Sequence, residues 1–258
     1  MITIAIANQK GGVGKTTTAI NIATAMAATG WRTLLIDLDP QGNASTGMGV
    51  SNEQRGLSSY DLLVDEVPLS ETTVSTSIPG LDLIPATVDL SGAEVELVSV
   101  EERTARLSRA LANHRGHDIC FIDCPPSLGL LTLNALAAAD TLLVPLQCEF
   151  FALEGLSQLL QTVERVQQSL NPSLGIVGVA LTMFDRRNRL TDQVADDVRE
   201  CLGNLVFQTV IPRNVRLSEA PSHGLPALVY DHSCPGSRAY IALARELIGR
   251  LPQERKAA

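Results

Sequence analysis

Short apolar runs alternate with longer helical patterns along most of the chain. The runs predict β-strands over residues 2–7, 32–37, 81–85, 118–123, 140–146, 175–182 and 205–211. The stretches between them predict helices over residues 15–29, 88–112, 129–138, 153–170, 190–202 and 237–250. Runs such as Leu34-Leu35-Ile36 are apolar on both faces, which is typical of parallel strands covered by helices. The pattern predicts an α/β fold: a doubly wound, mostly parallel sheet with helices on both faces and its ligand at the carboxyl ends of the strands.

Length and composition predict one domain. The chain has 258 residues, of which 45% are hydrophobic, so it is long enough to bury a full core, and we expect a single domain over 1–258. Segment 48–80 is rich in Ser and Thr and less regular, which predicts surface structure. The short polar end, about 252–258, predicts a frayed tail.

Charge and cysteine content exclude several classes of protein. The formal net charge of −8 argues against a generally basic coat for nucleic acid. The five cysteines include no C-x-x-C pair, and we interpret them as reduced thiols. No apolar run reaches the roughly 18 residues that a membrane-spanning helix needs. These features predict a cytoplasmic protein with no membrane partner.

The most informative segment is the run from Lys10 to Thr17, KGGVGKTT. It follows the first predicted strand and begins the first predicted helix, which is the context of a phosphate-binding loop. In such a loop, glycine N–H groups and the helix N-terminus surround phosphate oxygens, Lys15 reaches the β- and γ-phosphates, and the Thr16 hydroxyl binds Mg²⁺. The usual pattern has glycine where this chain has Gln9, so an ordinary glycine-rich turn is the alternative.

Three aspartates stand at or just after strand ends. Asp37 and Asp39 come at the end of the second predicted strand, and Asp123 ends the fourth. A carboxylate beside a phosphate loop can hold Mg²⁺ or orient the attacking water. Taken singly, each is equally typical of a turn or a cap. Their order along the chain makes the set more specific than any one member.

A second lysine distinguishes this loop, since the chain has three lysines and two of them, Lys10 and Lys15, lie in this run. The KGGVGKTT run, the following DLDPQGN and the IDCPPS segment resemble the deviant Walker A loop, its acidic partner and the Walker B strand of the ParA/MinD family of ATPases. The resemblance implies that Lys10 reaches the partner's nucleotide across a dimer interface. It also implies that Asp39 activates water, that Asp37 serves Mg²⁺ and loop organisation, and that Asp123 lies in the outer Mg²⁺ shell.

The resemblance runs from about residue 2 to 250. Segments 147–155 and 211–220 look like ParA of the chromosome-partitioning type, in which the Pro-Arg-Asn segment lines the adenine pocket. Pro212 alone is equally typical of a strand terminator. The residues we expect to bind nucleotide are Lys10, Gly11, Gly12, Val13, Gly14, Lys15, Thr16, Thr17, Pro212 and Asn214. Lys10, Lys15 and Asp39 are the predicted catalytic residues, and Thr16, Asp37 and Asp123 are the predicted metal residues.

Arginines of segment 183–220 are the candidate DNA contacts. The segment carries six arginines and six acids, so its composition alone does not indicate DNA binding, and a salt-bridged surface is the alternative. Loops at one edge of a sheet are expected to bring a few arginines together, and arginine suits phosphate because its fork binds two oxygens. By resemblance to ParA, the predicted contacts are Arg186, Arg187, Arg189 and Arg216.

The function that this resemblance implies is that of a DNA-partitioning switch. ATP and Mg²⁺ are the expected cofactors, and the ATP-bound homodimer is expected to bind double-stranded DNA without sequence preference. A ParB-type centromere-binding partner is expected to stimulate slow hydrolysis, and the location implied is the nucleoid of the cytoplasm. One alternative is a membrane-site ATPase like MinD, although Pro252 interrupts a C-terminal amphipathic helix. The other is a metabolic ATPase on the same scaffold.

Overall fold

The computed structural model describes residues 1–252, and the predicted frayed tail therefore lies outside the described residues except for Pro252. Its strands are β1 Ile2–Ile6, β2 Thr33–Asp37, β3 Val74–Ser75, β4 Leu81–Ile84, β5 Ile119–Asp123, β6 Thr141–Gln147 and β7 Gly175–Thr182. Its helices are α1 Lys15–Ala28, α2 Asn43–Gly47, α3 Ser59–Leu63, α4 Leu69–Thr72, α5 Leu90–Glu96, α6 Arg106–Ala112, α7 Leu130–Ala138, α8 Ala152–Ser169, α9 Arg189–Leu202, α10 Val215–Glu219, α11 Ala227–Tyr230 and α12 Pro235–Arg250.

The strands form one sheet in the order β3-β4-β2-β5-β1-β6-β7. Every neighbouring pair is parallel except β3 and β4, which are antiparallel. Asp123 at the end of β5 is in register with Ile6 of β1 and with Asp37 of β2. The carboxyl ends of the three strands that carry the phosphate loop and the predicted carboxylates therefore meet at one edge.

Helices cover both faces of the sheet. Alternate strand residues enter two separate cores: Ile4 and Leu35 pack with α1 and α12, whereas Ala5 and Leu34 pack with α7 and α8 on the other face. The predicted mostly parallel, doubly wound α/β fold is confirmed. No helix among residues 1–252 combines the length and apolar character needed to cross a bilayer.

The predicted strand over 205–211 is wrong. The segment makes one isolated bridge, Val206 with Val179, and a second follows just beyond its end, Pro212 with Phe184, instead of a continuous ladder. Backbone N–H groups that a strand would use are taken by a side chain of α12: Glu246 accepts from Gln208 N at 2.8 Å and from Thr209 N at 3.0 Å. The segment lies beside β7 but does not become a strand.

The predicted single helix over 88–112 is also wrong, because it is interrupted between α5 and α6. The backbone turns at Glu102, which has a φ of 52°. The buried Asn134 of α7 fixes the interruption: its side-chain amide donates to Arg103 O at 2.9 Å, and its side-chain oxygen accepts from Leu107 N at 3.3 Å.

Segment 48–80, which we predicted to be surface structure, is only partly at the surface, since Ser58, Ser59, Leu62 and Leu63 are buried.

Candidate functional site

The phosphate loop connects β1 to α1 and ends in a left-handed residue. Gly12 and Gly14 have φ values of 75° and 86°, and Gly14 caps the N-terminus of α1. A side chain at these positions would be strained, which accounts for the two glycines. From β7, the Thr182 hydroxyl donates to Val13 O at 2.7 Å and holds the loop over the sheet edge. The loop has the form that surrounds a phosphate group.

Lys15 is buried beneath this loop. Only 6% of its surface is exposed, and its ammonium donates to the carbonyl of Lys10 at 3.0 Å. Burial lowers its pKa, while the charges of Asp123 and Asp39 act in the opposite direction. The cation is thus held between the loop and the carboxylates, where a triphosphate would meet it.

Asp37 and Asp123 lie side by side but differ in their hydrogen bonds. Asp37 accepts from Asp39 N at 3.2 Å and, through its other oxygen, from Ser45 N at 2.8 Å and Ser45 Oγ at 2.7 Å. Burial raises the pKa of Asp37 to about 6, although the bonds from Ser45 act against that rise. Asp37 therefore fastens the start of α2 to the end of β2.

Asp123 is buried, and neither of its carboxylate oxygens has a hydrogen bond of normal geometry within residues 1–252. Burial and the neighbouring charge of Asp37 raise its pKa well above the usual range, while the nearby Thr16 hydroxyl and Lys15 lower it. Buried carboxylate oxygens without donors need an explanation, and a divalent cation is one. Carboxylate and hydroxyl oxygens are ligands that Mg²⁺ accepts. Thr16 and Asp123 therefore fit the metal predicted for them. Both Asp37 oxygens already accept hydrogen bonds, which fits its predicted role in loop organisation, and its metal role stays a prediction.

Asp39 stands at the wall of the cleft beside the phosphate loop. Its carboxylate accepts from Gln41 N at 3.0 Å, and the chain then turns at Gly42, which has a φ of 60°. The cleft has a volume of about 620 Å³. Its walls combine the phosphate loop with the segment after β2 and with α10: Gly11, Gly12, Gly14, Lys15, Thr16, Thr17, Ile20, Asp39, Gln41, Asn43, Thr46, Pro126, Met183, Leu217, Ser218, Pro221 and Ser222.

A smaller cavity of about 150 Å³ adjoins Gly14 and Thr17. Both residues predicted to line an adenine pocket, Pro212 and Asn214, contribute to its wall. The side-chain oxygen of Asn214, Oδ1, caps the N-terminus of α10 by accepting from Arg216 N at 2.9 Å. The cavity adjoins the phosphate cleft, since Gly14, Thr17 and Leu217 line both, and the adenine contacts of Pro212 and Asn214 stay a prediction.

The four predicted DNA contacts are exposed but not equally available. Hydrogen bonds from Phe184 N to Ile211 O at 2.9 Å and from Arg213 N to Phe184 O at 3.1 Å bring their two segments together. Arg187 forms a two-pronged ion pair with Asp185, which holds the pKa of that carboxyl at about 2. Arg216 lies on the short helix α10 and not in a loop, and it pairs with Glu219 at 2.8 Å and with Asp231 at 3.7 Å. Within residues 1–252, Arg186 and Arg189 form no ion pair.

Sequence reasoning missed several residues of the site. Ser45 and Thr182 are ordinary polar residues in the sequence, and only the fold places them against Asp37 and Val13. The partner of Lys10 was also missed: its ammonium forms an ion pair with Glu149, just beyond β6. The CEFFALEG segment was the one available signal for Glu149.

A mostly parallel sheet with this loop, a buried lysine and two strand-end aspartates defines the P-loop class of nucleotide-binding proteins. A sequence profile described as an AAA domain matches residues 1–176. Chromosome partitioning protein ParA of Caulobacter vibrioides is 60% identical over 250 residues, covering 96% of this chain and 94% of that protein. Sporulation initiation inhibitor protein Soj of Bacillus subtilis is 53% identical over 245 residues, covering 95% and 97%.

Among solved structures, cobyrinic acid a,c-diamide synthase from Mycobacterium smegmatis, with a bound ATP analogue and magnesium, has a TM-score of 0.83 and 39% identity. The match covers 96% of this chain and 94% of that one. The chain belongs to the ParA/Soj family of chromosome-partitioning ATPases. The family and the ATPase activity that the sequence predicted are thereby confirmed.

Proposed function

We propose that this ATPase is a DNA-partitioning switch, which dimerises when ATP is bound and is reset by hydrolysis. The observation that carries the proposal is that Lys15 and Thr16 of the cleft wall meet Asp123, whose buried oxygens have no hydrogen bond of normal geometry within residues 1–252, with Lys10 on the same loop. ATP and Mg²⁺ are its cofactors. Bound Mg²⁺ supplies positive charge that offsets the charge on the phosphate oxygens.

Each residue of the site has its own role toward the nucleotide. The N–H groups of Gly11 to Thr17 surround the phosphates, and Lys15 adds a positive charge to them. Asp39, at the wall of the same cleft, orients the attacking water. Pro212 and Asn214 contact the base. Dimerisation places Lys10 on the nucleotide of the partner chain.

The ATP-bound dimer binds double-stranded DNA without sequence preference, through Arg186, Arg187, Arg189 and Arg216. All four side chains are exposed, and main-chain hydrogen bonds of Phe184 with Ile211 and Arg213 hold the two segments that carry them together, which supports this role. Phosphate contacts position a protein on DNA but carry no sequence information. A ParB-type centromere-binding protein stimulates hydrolysis, and the nucleoid is the place of action.

The test is light scattering and duplex-DNA binding, with and without ATP, on the wild type and on Asp39→Ala. We expect ATP to produce a dimer that binds random duplex, and Asp39→Ala to keep that dimer because hydrolysis stops. A wild type that hydrolyses ATP but neither dimerises nor binds DNA would favour the alternative of a metabolic ATPase, which similarity to the Mycobacterium smegmatis enzyme keeps open.

A further inference from the structure

Arg55 is a buried arginine without an acidic partner. Only 8% of its surface is exposed, and no carboxylate within residues 1–252 forms an ion pair with it. Its guanidinium instead donates to main-chain carbonyls and a hydroxyl: to Val50 O at 3.0 and 3.2 Å, to Ala86 O at 3.2 Å and to Thr46 Oγ1 at 2.8 Å. Burial lowers the pKa of the Arg55 guanidinium, and the charge of Asp37 offsets only part of that effect. The four hydrogen bonds compensate for this burial, and through them Arg55 holds the main chain around it.

Ala86 is held at both of its backbone groups. Its carbonyl accepts from Arg55, and its N–H donates to Ser45 Oγ at 3.0 Å. The same Ser45 hydroxyl donates to Asp37 Oδ2 at 2.7 Å, so its donor and acceptor capacity are both in use. A continuous buried network runs from the Asp37 carboxylate through Ser45 and Ala86 to Arg55, and a fully satisfied network of this kind rigidifies its members.

The network supports the backbone that carries Asp39. A Cβ added at Gly42 would collide with the Arg55 guanidinium, so the arginine lies directly behind this glycine. Gly42 N donates to Asp39 O at 2.8 Å, and Gly42 O accepts from Thr46 N at 2.9 Å. Because Arg55 also binds Thr46 and Val50, it contacts the segment after Asp39 at three separate points.

We propose that Arg55 is a positioning residue for ATP hydrolysis, which holds the segment from Gly42 to Val50 so that Asp39 faces the nucleotide. This inference rests on the proposed role of Asp39 in water activation. Among the described residues, Arg55 is not part of the cleft wall, whereas Asp39, Asn43 and Thr46 are. Loss of Arg55 therefore acts on the chemical step and leaves the phosphate loop in place.

Arg55→Ala, Arg55→Lys and added guanidinium chloride together test whether Arg55 positions Asp39 or only stabilises the fold. Arg55→Ala should slow single-turnover hydrolysis by roughly ten- to a hundredfold, the scale expected when a catalytic group is displaced by about 1 Å. Affinity for a fluorescent ATP analogue should stay within about twofold, since binding depends on the phosphate loop. Arg55→Lys should recover part of the rate, because an ammonium can donate to carbonyls but lacks the fork. Millimolar guanidinium chloride should also accelerate Arg55→Ala.

Arg115→Ala is the control for loss of an arginine side chain, since Arg115 is exposed and, within residues 1–252, donates to the main-chain carbonyls of Ala112 and His114. It should keep the wild-type rate. A wild-type rate in Arg55→Ala would overturn the proposal. So would equal losses of rate, ATP affinity and thermal stability that neither lysine nor guanidinium corrects. Asp39→Ala, measured in parallel, tests the underlying assumption: wild-type turnover there would refute the role of Asp39 itself, whatever Arg55 does.

Discussion

The ammonium of Lys10 forms an ion pair with the carboxylate of Glu149, 139 positions later in the chain. Both side chains are partly exposed, at 37% and 47%. Gln147 also donates to Glu149, so the carboxylate is held in place from the end of β6. If Lys10 serves a partner's nucleotide, as we propose, it must first leave Glu149. An exposed ion pair of this kind is worth about 1 kcal/mol or less, which a phosphate group readily outweighs.

Lys10→Ala should separate nucleotide binding from dimerisation. The Lys15 ammonium would keep its place, since it binds the main-chain carbonyl of residue 10, which alanine retains. We expect ATP affinity of the monomer by calorimetry to stay within about threefold of the wild type, well under the change that loss of a charge-assisted phosphate contact produces. Light scattering with ATP should detect no dimer. Glu149→Gln is the control that removes the ion pair but keeps Lys10, and it should still dimerise. Normal dimerisation of Lys10→Ala would contradict the proposed role.

Asp123→Asn should have opposite effects on stability and on metal dependence. In the protein without nucleotide, the Asp123 carboxyl is buried, has no hydrogen bond of normal geometry within residues 1–252 and has a raised pKa, so it destabilises the fold at neutral pH. Replacement by a neutral amide should leave the melting temperature unchanged or raise it. The additional rise that Mg²⁺ gives in the presence of ATP should be reduced, because a Mg²⁺-binding group is lost. A full Mg²⁺ effect in the variant would show that Asp123 does not serve the metal.

Glu246→Ala tests the segment that replaces the predicted last strand. Glu246 accepts from Gln208 N and Thr209 N and pairs with Arg250 at 3.2 Å. Its removal leaves two backbone N–H groups without an acceptor, so we expect a loss of about 1–3 kcal/mol in the free energy of unfolding by urea titration. Glu246→Gln, whose single amide oxygen still accepts, should lose less. ATP binding should be unaffected, since Glu246 is not in the cleft wall. Equal stability of Glu246→Ala and the wild type would exclude this anchoring.

The parts of the fold that the sequence predicted are those determined by local pattern. The strands that became β1 and β2, the phosphate loop and the carboxylates at strand ends depend on runs of a few residues and their order. The failures come from contacts between distant residues. Glu246 takes the N–H groups of the predicted last strand, and Asn134 interrupts the predicted helix over 88–112. Arg55 behind Gly42 has no local signal, and the CEFFALEG segment does not by itself reveal that Glu149 pairs with Lys10, since each contact depends on how separate segments pack.

DNA affinity should respond in opposite directions to two changes at the arginine segment. Arg186→Glu removes an exposed arginine that has no ion pair within residues 1–252, so the dimer should lose two phosphate contacts and the slope of log affinity against log salt should flatten by about two units. Asp185→Asn frees Arg187, because the amide cannot hold the guanidinium as the carboxylate does. With its pKa at about 2, Asp185 is ionised throughout the assay range, so its neutralisation should raise affinity and steepen the slope.

Arg115→Glu is the matched control for charge, since Arg115 precedes β5 and so lies near the opposite edge of the parallel sheet from the residues that follow β7. It changes the net charge as Arg186→Glu does, but should leave affinity and slope near wild-type values at moderate salt, where a distant charge is screened. The measurement is anisotropy of labelled random duplex with ATP across a salt series, alongside light scattering to verify the dimer. All sequences should be affected alike, because phosphate contacts do not specify bases. Equal effects of Arg186→Glu and Arg115→Glu would mean that net charge, and not this segment, determines binding. Unchanged affinity in both Arg186→Glu and Asp185→Asn, with the dimer intact, would place the DNA surface elsewhere on the protein.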